Sequence, residues 1–227
     1  MIDKERFDSL EEWYFSWYLE ELVEAGYVKD FTYPGRTFEL YKGQKLPFYK
    51  VLKTKTKDIT RELIRGVTYT PDFLVYWQPK AEGVLHLTWD YKISRPLDIR
   101  CAEVPFVAVP DRAENQNGVE ILQSDYLITH VDIKPNIHPK FAARSSSLIS
   151  FPIKQKWVMA KYHQFVQHVI AETLFKGTFT PDRYLRTDAD RMDRTIKWEP
   201  KSIDQFLIEQ KARRDDVQRA QGQTSIF

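Results

Sequence analysis

The chain has 227 residues, 42% of them hydrophobic and 14% aromatic, with a formal net charge of +2. That is enough apolar material for one sizeable core with an insertion or a tail. The single cysteine, Cys101, excludes a disulfide framework and any multi-cysteine metal site, and no apolar run approaches the ~20 residues that span a bilayer.

The N-terminus opens on charges and has no signal-peptide core. The expectation is a soluble, cytoplasmic protein with no membrane partner. Charge is unevenly spread. Between Arg36 and Arg65 stand nine basic residues against Glu39, Asp58 and Glu62, a local excess of +6. Such a patch fits a polyanion partner, and it also fits a solvated lysine-rich hairpin.

Ser9 and Glu12 have the spacing of a capping box and predict a helix over about Leu10 to Ala25, with Gly26 as its stop. Trp13 and Trp17, and Tyr14 and Tyr18, recur at i, i+4, so this helix is largely buried. Short extended pieces follow at Tyr27 to Tyr33, Arg36 to Tyr41 and Phe48 to Leu52. Pro34-Gly35 and Lys42-Gly43-Gln44 separate them with turn chemistry. Lys53 to Lys57 reads as an exposed loop or strand tip.

Pro71-Asp72 runs into Phe73-Leu74-Val75-Tyr76-Trp77. Proline suits the first position of a strand, and the β-branched and aromatic run after it reads as a buried one. Asp72 is then fixed at the mouth of a sheet. A turn at Gln78 to Gly83 leads to an alternating strand over Val84 to Ile93. Ser94 to Asp125 reads as an irregular insertion, and Tyr126 to Lys134 as a further strand. Alternation puts Leu127, Thr129, Val131 and Ile133 on one face, and Ile128, His130, Asp132 and Lys134 on the other.

A helix is predicted over Ile153 to Ala171 and a short strand over Leu174 to Thr180. A helix capped by Ser202 is predicted over Ile203 to Ala220 in the charged tail. This order implies an α/β (α+β) fold: a mixed central sheet flanked by helices, in a domain of residues 1–185 with an insertion at about 94–125, then a tail at 186–227.

Glu12, Asp72, Asp132 and Lys134 are the residues suited to chemistry. Pro-Asp occurs twice more, at Pro110-Asp111 and Pro181-Asp182, but neither pair leads into an apolar strand. Asp90-Tyr91-Lys92 rivals Asp132-Ile133-Lys134, because both have the D-x-K spacing that puts two side chains on one sheet face. Glu11 is the fallback for Glu12, and His130 shares a face with Asp132. The histidines show no zinc-ligand spacing.

Ser9 to Glu12, Thr70-Pro71-Asp72-Phe73, Val131-Asp132-Ile133-Lys134 and the helix from Lys154-Gln155-Lys156-Trp157 come in an order that resembles the PD-(D/E)xK nuclease superfamily. The resemblance is to phage-encoded endonucleases and junction resolvases, and it spans about residues 9 to 180. It implies a restriction-endonuclease-like core and Mg²⁺-dependent DNA hydrolysis, with Mn²⁺ substituting, in recombination or junction processing.

It also implies a role for each residue. Asp72, Asp132 and the Ile133 carbonyl hold the metal, Glu12 binds or orients a second metal or its water, and Lys134 positions the attacking water. Hard cations suit oxygen donors of this kind. Lys53, Lys55, Lys57, Lys140, Arg144, Lys154 and Lys156 would grip DNA, and the C-terminal helix could serve a homodimer. The alternative is a non-catalytic DNA-binding or assembly protein on the same fold.

Overall fold

A computed structural model describes residues 4–92, 104–114, 120–136, 146–187 and 192–224. The chain is α+β, with a mixed central sheet flanked by helices. Among the described residues no helix is long and apolar enough to cross a membrane.

Helix α1 spans Leu10–Glu24. Its capping box forms: the Glu12 N–H donates to Ser9 Oγ at 3.2 Å, and Ser9 Oγ donates to Glu12 Oε1 at 2.8 Å. Phe15, Tyr18, Leu19 and Leu22 are wholly buried against Phe73, Val75, Trp77, Phe106 and Val131 of the sheet. Each such side chain contributes roughly 1.5–3 kcal/mol through burial.

Five strands run in the order β1 (Val28–Thr32), β6 (Phe73–Trp77), β9 (Glu120–Ile133), β8 (Phe106–Glu114) and β7 (His86–Thr88), with β10 (Val166–Val169) also on β9. β6 pairs antiparallel with β9 over Leu127 to Val131. On the other edge of β9, β8 pairs antiparallel as far as Ile128, and β10 takes over in parallel from His130 to Ile133. The far half of β9 is thus flanked on both sides, and its end carries Asp132.

Two elements differ from the sequence reading. The stretch read as irregular contains β8, a central strand. Pro110 is accommodated because the ladder shifts register between Pro110 and Arg112, where a missing N–H costs little. The helix read over Ile153 to Ala171 is instead α2 (Ser146–Tyr162), followed by β10 and then by α3 (Ala171–Gly177), where a strand was expected. Val166 and Val169 do repeat at helical spacing. They fill the open edge of β9 instead, and their β-branched side chains suit a strand. The strand read over Val84 to Ile93 is confined to β7.

Two ribbons leave the sheet. β2 (Phe38–Tyr41) pairs with β5 (Val67–Tyr69), and β3 (Gln44–Val51) pairs with β4 (Thr56–Ile64). The first packs Phe38, Leu40 and Tyr69 under Phe151 and Val158 of α2. The second is exposed along nearly its whole length. Ser202 caps α4 (Ile203–Thr224), accepting the Gln205 N–H at 3.3 Å, and Phe206 and Leu207 dock this helix into the main core.

Candidate active site

The register of β6 on β9 builds the site. Phe73 lies opposite Val131. One residue further along the ladder, Asp72 faces Asp132 across the strand pair, and cross-strand neighbours share a sheet face. Phe73 and Val131 point into the core on the opposite face, so the two carboxylates rise over the side covered by α2.

Local chemistry fixes Asp72. Pro71 opens the strand, and the Gly35 N–H donates to the Pro71 carbonyl at 3.0 Å. A Cβ on Gly35 would come within 2.9 Å of that carbonyl oxygen and 3.2 Å of the Phe73 carbonyl oxygen, so only glycine allows this approach. The Ile133 N–H then donates to Asp72 Oδ2 at 2.6 Å. Lys134 donates its own N–H to Val169 on β10 at 2.8 Å. Backbone groups alternate along a strand, so the Ile133 carbonyl leaves on the edge that faces Asp72.

Asp132 is buried, at 3% exposure. The Tyr69 hydroxyl donates to its Oδ2, and Lys134 Nζ forms an ion pair with Oδ1. That ion pair does not reach hydrogen-bond alignment, and Oδ1 has no aligned donor among the described residues. Burial first, and then the Asp132 charge, push the Asp72 carboxyl up to about 7; the Ile133 N–H opposes this. Burial and Asp132 likewise push the Tyr69 phenol well above its ordinary range, so it stays a donor.

A cleft of about 220 Å³ opens over this group, lined by Tyr69, Thr70, Asp72, Asp132, Lys134, Ser150, Phe151 and Lys154. Lys154 Nζ lies 5.3 Å from the Tyr69 ring centre, and Lys134 Nζ lies 5.7 Å from that of Phe151. Lysines from two elements thus border the carboxylates.

Glu12 sits apart from this pair. Its carboxylate accepts from Ser9 Oγ, from the Asp8 N–H at 3.1 Å and from the Tyr33 hydroxyl at 2.6 Å. It adds to the rise of Asp72, less than Asp132 does. Among the described residues no three His, Cys, Asp or Glu side chains gather closely enough to hold a metal ion. Glu11 is on the rim of a different pocket, beside Tyr14 and Glu172.

Asp90 and Lys92 lie past the end of β7, at the far edge of the sheet from β6. Arg112 clamps Asp90 with bonds of 2.7 and 2.6 Å, and this guanidinium holds the carboxyl below its usual range. Asp90 is therefore built into an ion pair and does not face Asp72. His130 is fully buried against the Phe38 ring, 5.0 Å between centres, and burial keeps it neutral. Lys53, Lys55 and Lys57 are exposed on or beside the outer ribbon, and Lys156 is exposed on α2. Lys140 and Arg144 lie outside the described residues.

Three neighbours escaped the sequence reading. Tyr69 ends β5, in the very stretch that carries Asp72, and its spacing gave it no chemical signature. Ser150 lies in the first turns of α2, ahead of the predicted start at Ile153. His168 lies beside Asp132 in the β10 register, on the side away from Asp72. A helical reading of 153–171 hid it. Burial first, and then Lys134, lower its pKa.

The donor set suits a hard divalent cation. Two carboxylates face each other, one oxygen of Asp132 is shielded and met only by the unaligned Lys134 ion pair, and a main-chain carbonyl leaves on the same edge. Mg²⁺ keeps several waters and needs only one or two carboxylates from the protein. No family model matches the chain, and no curated protein or solved structure matches it either.

Proposed function

We propose that this protein is a metal-dependent endonuclease that hydrolyses DNA phosphodiester bonds. The observation that carries the reading is the placement of Asp72 opposite Asp132, with Lys134 ion-paired to Asp132, in one cleft. When bound, a divalent cation supplies charge neutralisation at phosphorus and a water acidified toward neutral pH. Asp72, Asp132 and the Ile133 carbonyl would hold it.

The other parts belong to the chain. Lys134 orients the attacking water and offsets negative charge on the phosphoryl oxygens. Lys154, across the cleft, draws the scissile phosphate toward the carboxylates. Tyr69 holds Asp132 in place through its hydroxyl. Glu12 acts at a distance, because its oxygens serve the helix cap and Tyr33. Action in DNA recombination or junction processing is part of the same reading, and rests on the resemblance alone.

The test is Mg²⁺-dependent cleavage of supercoiled plasmid and of four-way-junction DNA by wild type and by Asp132→Asn. Cleavage by wild type that is lost in the variant supports the reading. Equal cleavage by both rejects this site.

One observation favours a second reading, a DNA-binding or assembly protein on this fold. Both oxygens of Asp132 are already met by protein groups, Tyr69 and Lys134. Tight duplex binding with no cleavage in Mg²⁺ or Mn²⁺ would support it.

A further inference from the structure

The ribbon β3–β4 stands outside every core cluster of described residues. Its burial pattern is exposed in all of β3 and in all but one residue of β4. A lone two-stranded hairpin is marginal in water, so this one has reason to bind something.

The cross-strand register sorts its side chains. Leu46 faces Arg61, Phe48 faces Ile59 and Lys50 faces Lys57, and these six share one face. Lys45 faces Glu62, Pro47 faces Thr60 and Tyr49 faces Asp58 on the other. The Arg61 guanidinium lies 5.0 Å from the Phe48 ring centre, as side chains on a common face should. The first face therefore carries three cations and no acid. The second carries one cation and two acids. Lys53 and Lys55 stand exposed at the tip between the strands.

The root of the ribbon is equally informative. Gly43 and Gly66 touch where it leaves β2 and β5: a Cβ on Gly43 would lie 2.6 Å from the Gly66 nitrogen. Beyond Gly66 the chain runs through β5 to Tyr69, which holds Asp132, and then to Asp72. The ribbon is thus joined through β2 and β5 to the segment that lines the cleft at Tyr69 and Asp72.

We infer that the Lys50, Lys57 and Arg61 face of the β3–β4 ribbon is a docking surface for duplex DNA, laid along the backbone next to the Asp72–Asp132 cleft. The inference takes its choice of DNA from the proposed function. A one-sided array of cations matches a row of phosphates, and a ribbon of this width fits the major groove of B-DNA. Such contacts position the duplex and carry no sequence information directly. Phe48, under Arg61, gives the face an apolar contact for sugar or base edges.

The test is fluorescence anisotropy of a labelled duplex of about three helical turns, in EDTA, over a range of KCl concentrations. The full chain is compared with Lys50→Gln/Lys57→Gln/Arg61→Gln and with Lys45→Gln. Each cation that neutralises a phosphate contributes about 0.9 to the slope of log K against log salt. The triple variant should lose about 2.7 of that slope, and Lys45→Gln should lose none. Circular dichroism should show both variants folded, since the ribbon lies outside the core.

Equal slopes in wild type and the triple variant would overturn the inference, as would absence of duplex binding by wild type. So would a wild-type dimer in analytical ultracentrifugation that Phe48→Ser dissolves while its DNA affinity stands. A slope loss in a protein that never cleaves DNA would remove the nuclease reading and leave the ribbon. Cleavage that depends on Asp132, with unchanged slopes, would do the reverse.

Discussion

The Ile133 N–H donates to the Asp72 carboxylate at 2.6 Å, tying the residue before one strand to the last residue of its neighbour. This bond holds a carboxylate against the Asp132 charge, which burial and repulsion would otherwise oppose. A pair arranged like this is costly without a cation, and the cost makes it testable.

Asp72 and Asp132 should be individually indispensable. Asp72→Asn and Asp132→Asn are each expected to lower Mg²⁺-dependent plasmid nicking by about 10³-fold or more, since a cation so held carries several kcal/mol of charge stabilisation. Lys134→Gln should cost about 10²-fold, the scale of one electrostatic donor. Gel assays of single-turnover nicking check all three.

The elevated Asp72 predicts a pH-dependent stability in EDTA. Its folded pKa, about 7, lies above the ordinary aspartate value of 3.8. The folded state then binds more protons than the unfolded chain between about pH 4 and pH 7. Stability from this group is complete below pH 4 and is lost as pH rises through 7. Asp72→Asn keeps the neutral form at every pH. It should raise stability at pH 8 by at most about 4 kcal/mol, or ~10 °C in Tm, and change little at pH 4. Thermal melts at the two pH values check the sign.

Divalent cations should reverse that penalty. Mg²⁺ at about 100 times its Kd would add about 2.7 kcal/mol of stability where the carboxylates are ionised. At pH 5 protons compete for Asp72, so the shift should shrink. Calorimetric scans with and without Mg²⁺ at pH 8 and pH 5 measure the difference. Asp132→Asn should abolish it.

Tyr69 is a positioning residue. Tyr69→Phe removes the donor to Asp132 and keeps the ring packed under Phe151 and Val158. The loss of a hydrogen bond to a charged group should cost about 1.5–3 kcal/mol of stability. Mn²⁺ affinity should weaken about tenfold or more, the usual effect of removing a partner of a ligand. Titration calorimetry with Mn²⁺ separates this from simple destabilisation, because global weakening leaves the affinity of folded protein unchanged.

The rival D-x-K is expected to behave as structure. Asp90→Asn breaks a two-pronged pair with Arg112 in which both side chains are at most 15% exposed. It should cost about 2 kcal/mol of stability. Nicking by Asp90→Asn and Lys92→Gln, measured well below Tm, should match wild type.

Some features were legible in the residues because they are local. The capping box of Ser9 and Glu12 needs only three residues of chain, and the fully buried aromatic stripe of α1 follows from a helical repeat. Pro71 opening an apolar run marks a strand start, and D-x-K alternation puts Asp132 and Lys134 on one face whatever lies beside them. The basic excess from Arg36 to Arg65 likewise marks an exposed arm.

What neighbours what was not legible, because pairing between distant strands has no local signature. Asp132-Ile133-Lys134 and Asp90-Tyr91-Lys92 look alike as strings. Only the β6–β9 register sets the first opposite Asp72, and only Arg112 consigns Asp90 to an ion pair. The helical repeat through Val166 and Val169 yielded to a free edge on β9, which supplied hydrogen bonds that a longer helix would have left unmade there. Glu12 had two roles open to it in the sequence, and the folded chain engaged its oxygens in the helix cap and with Tyr33, a hydroxyl 21 residues away. The sequence by itself determined the first helix with its cap, the strand that opens at Pro71, and the shared face of Asp132 and Lys134, because each follows from a local rule. The tertiary structure decided which of those residues meet, since a sheet's register is chosen by burial and pairing across the whole chain.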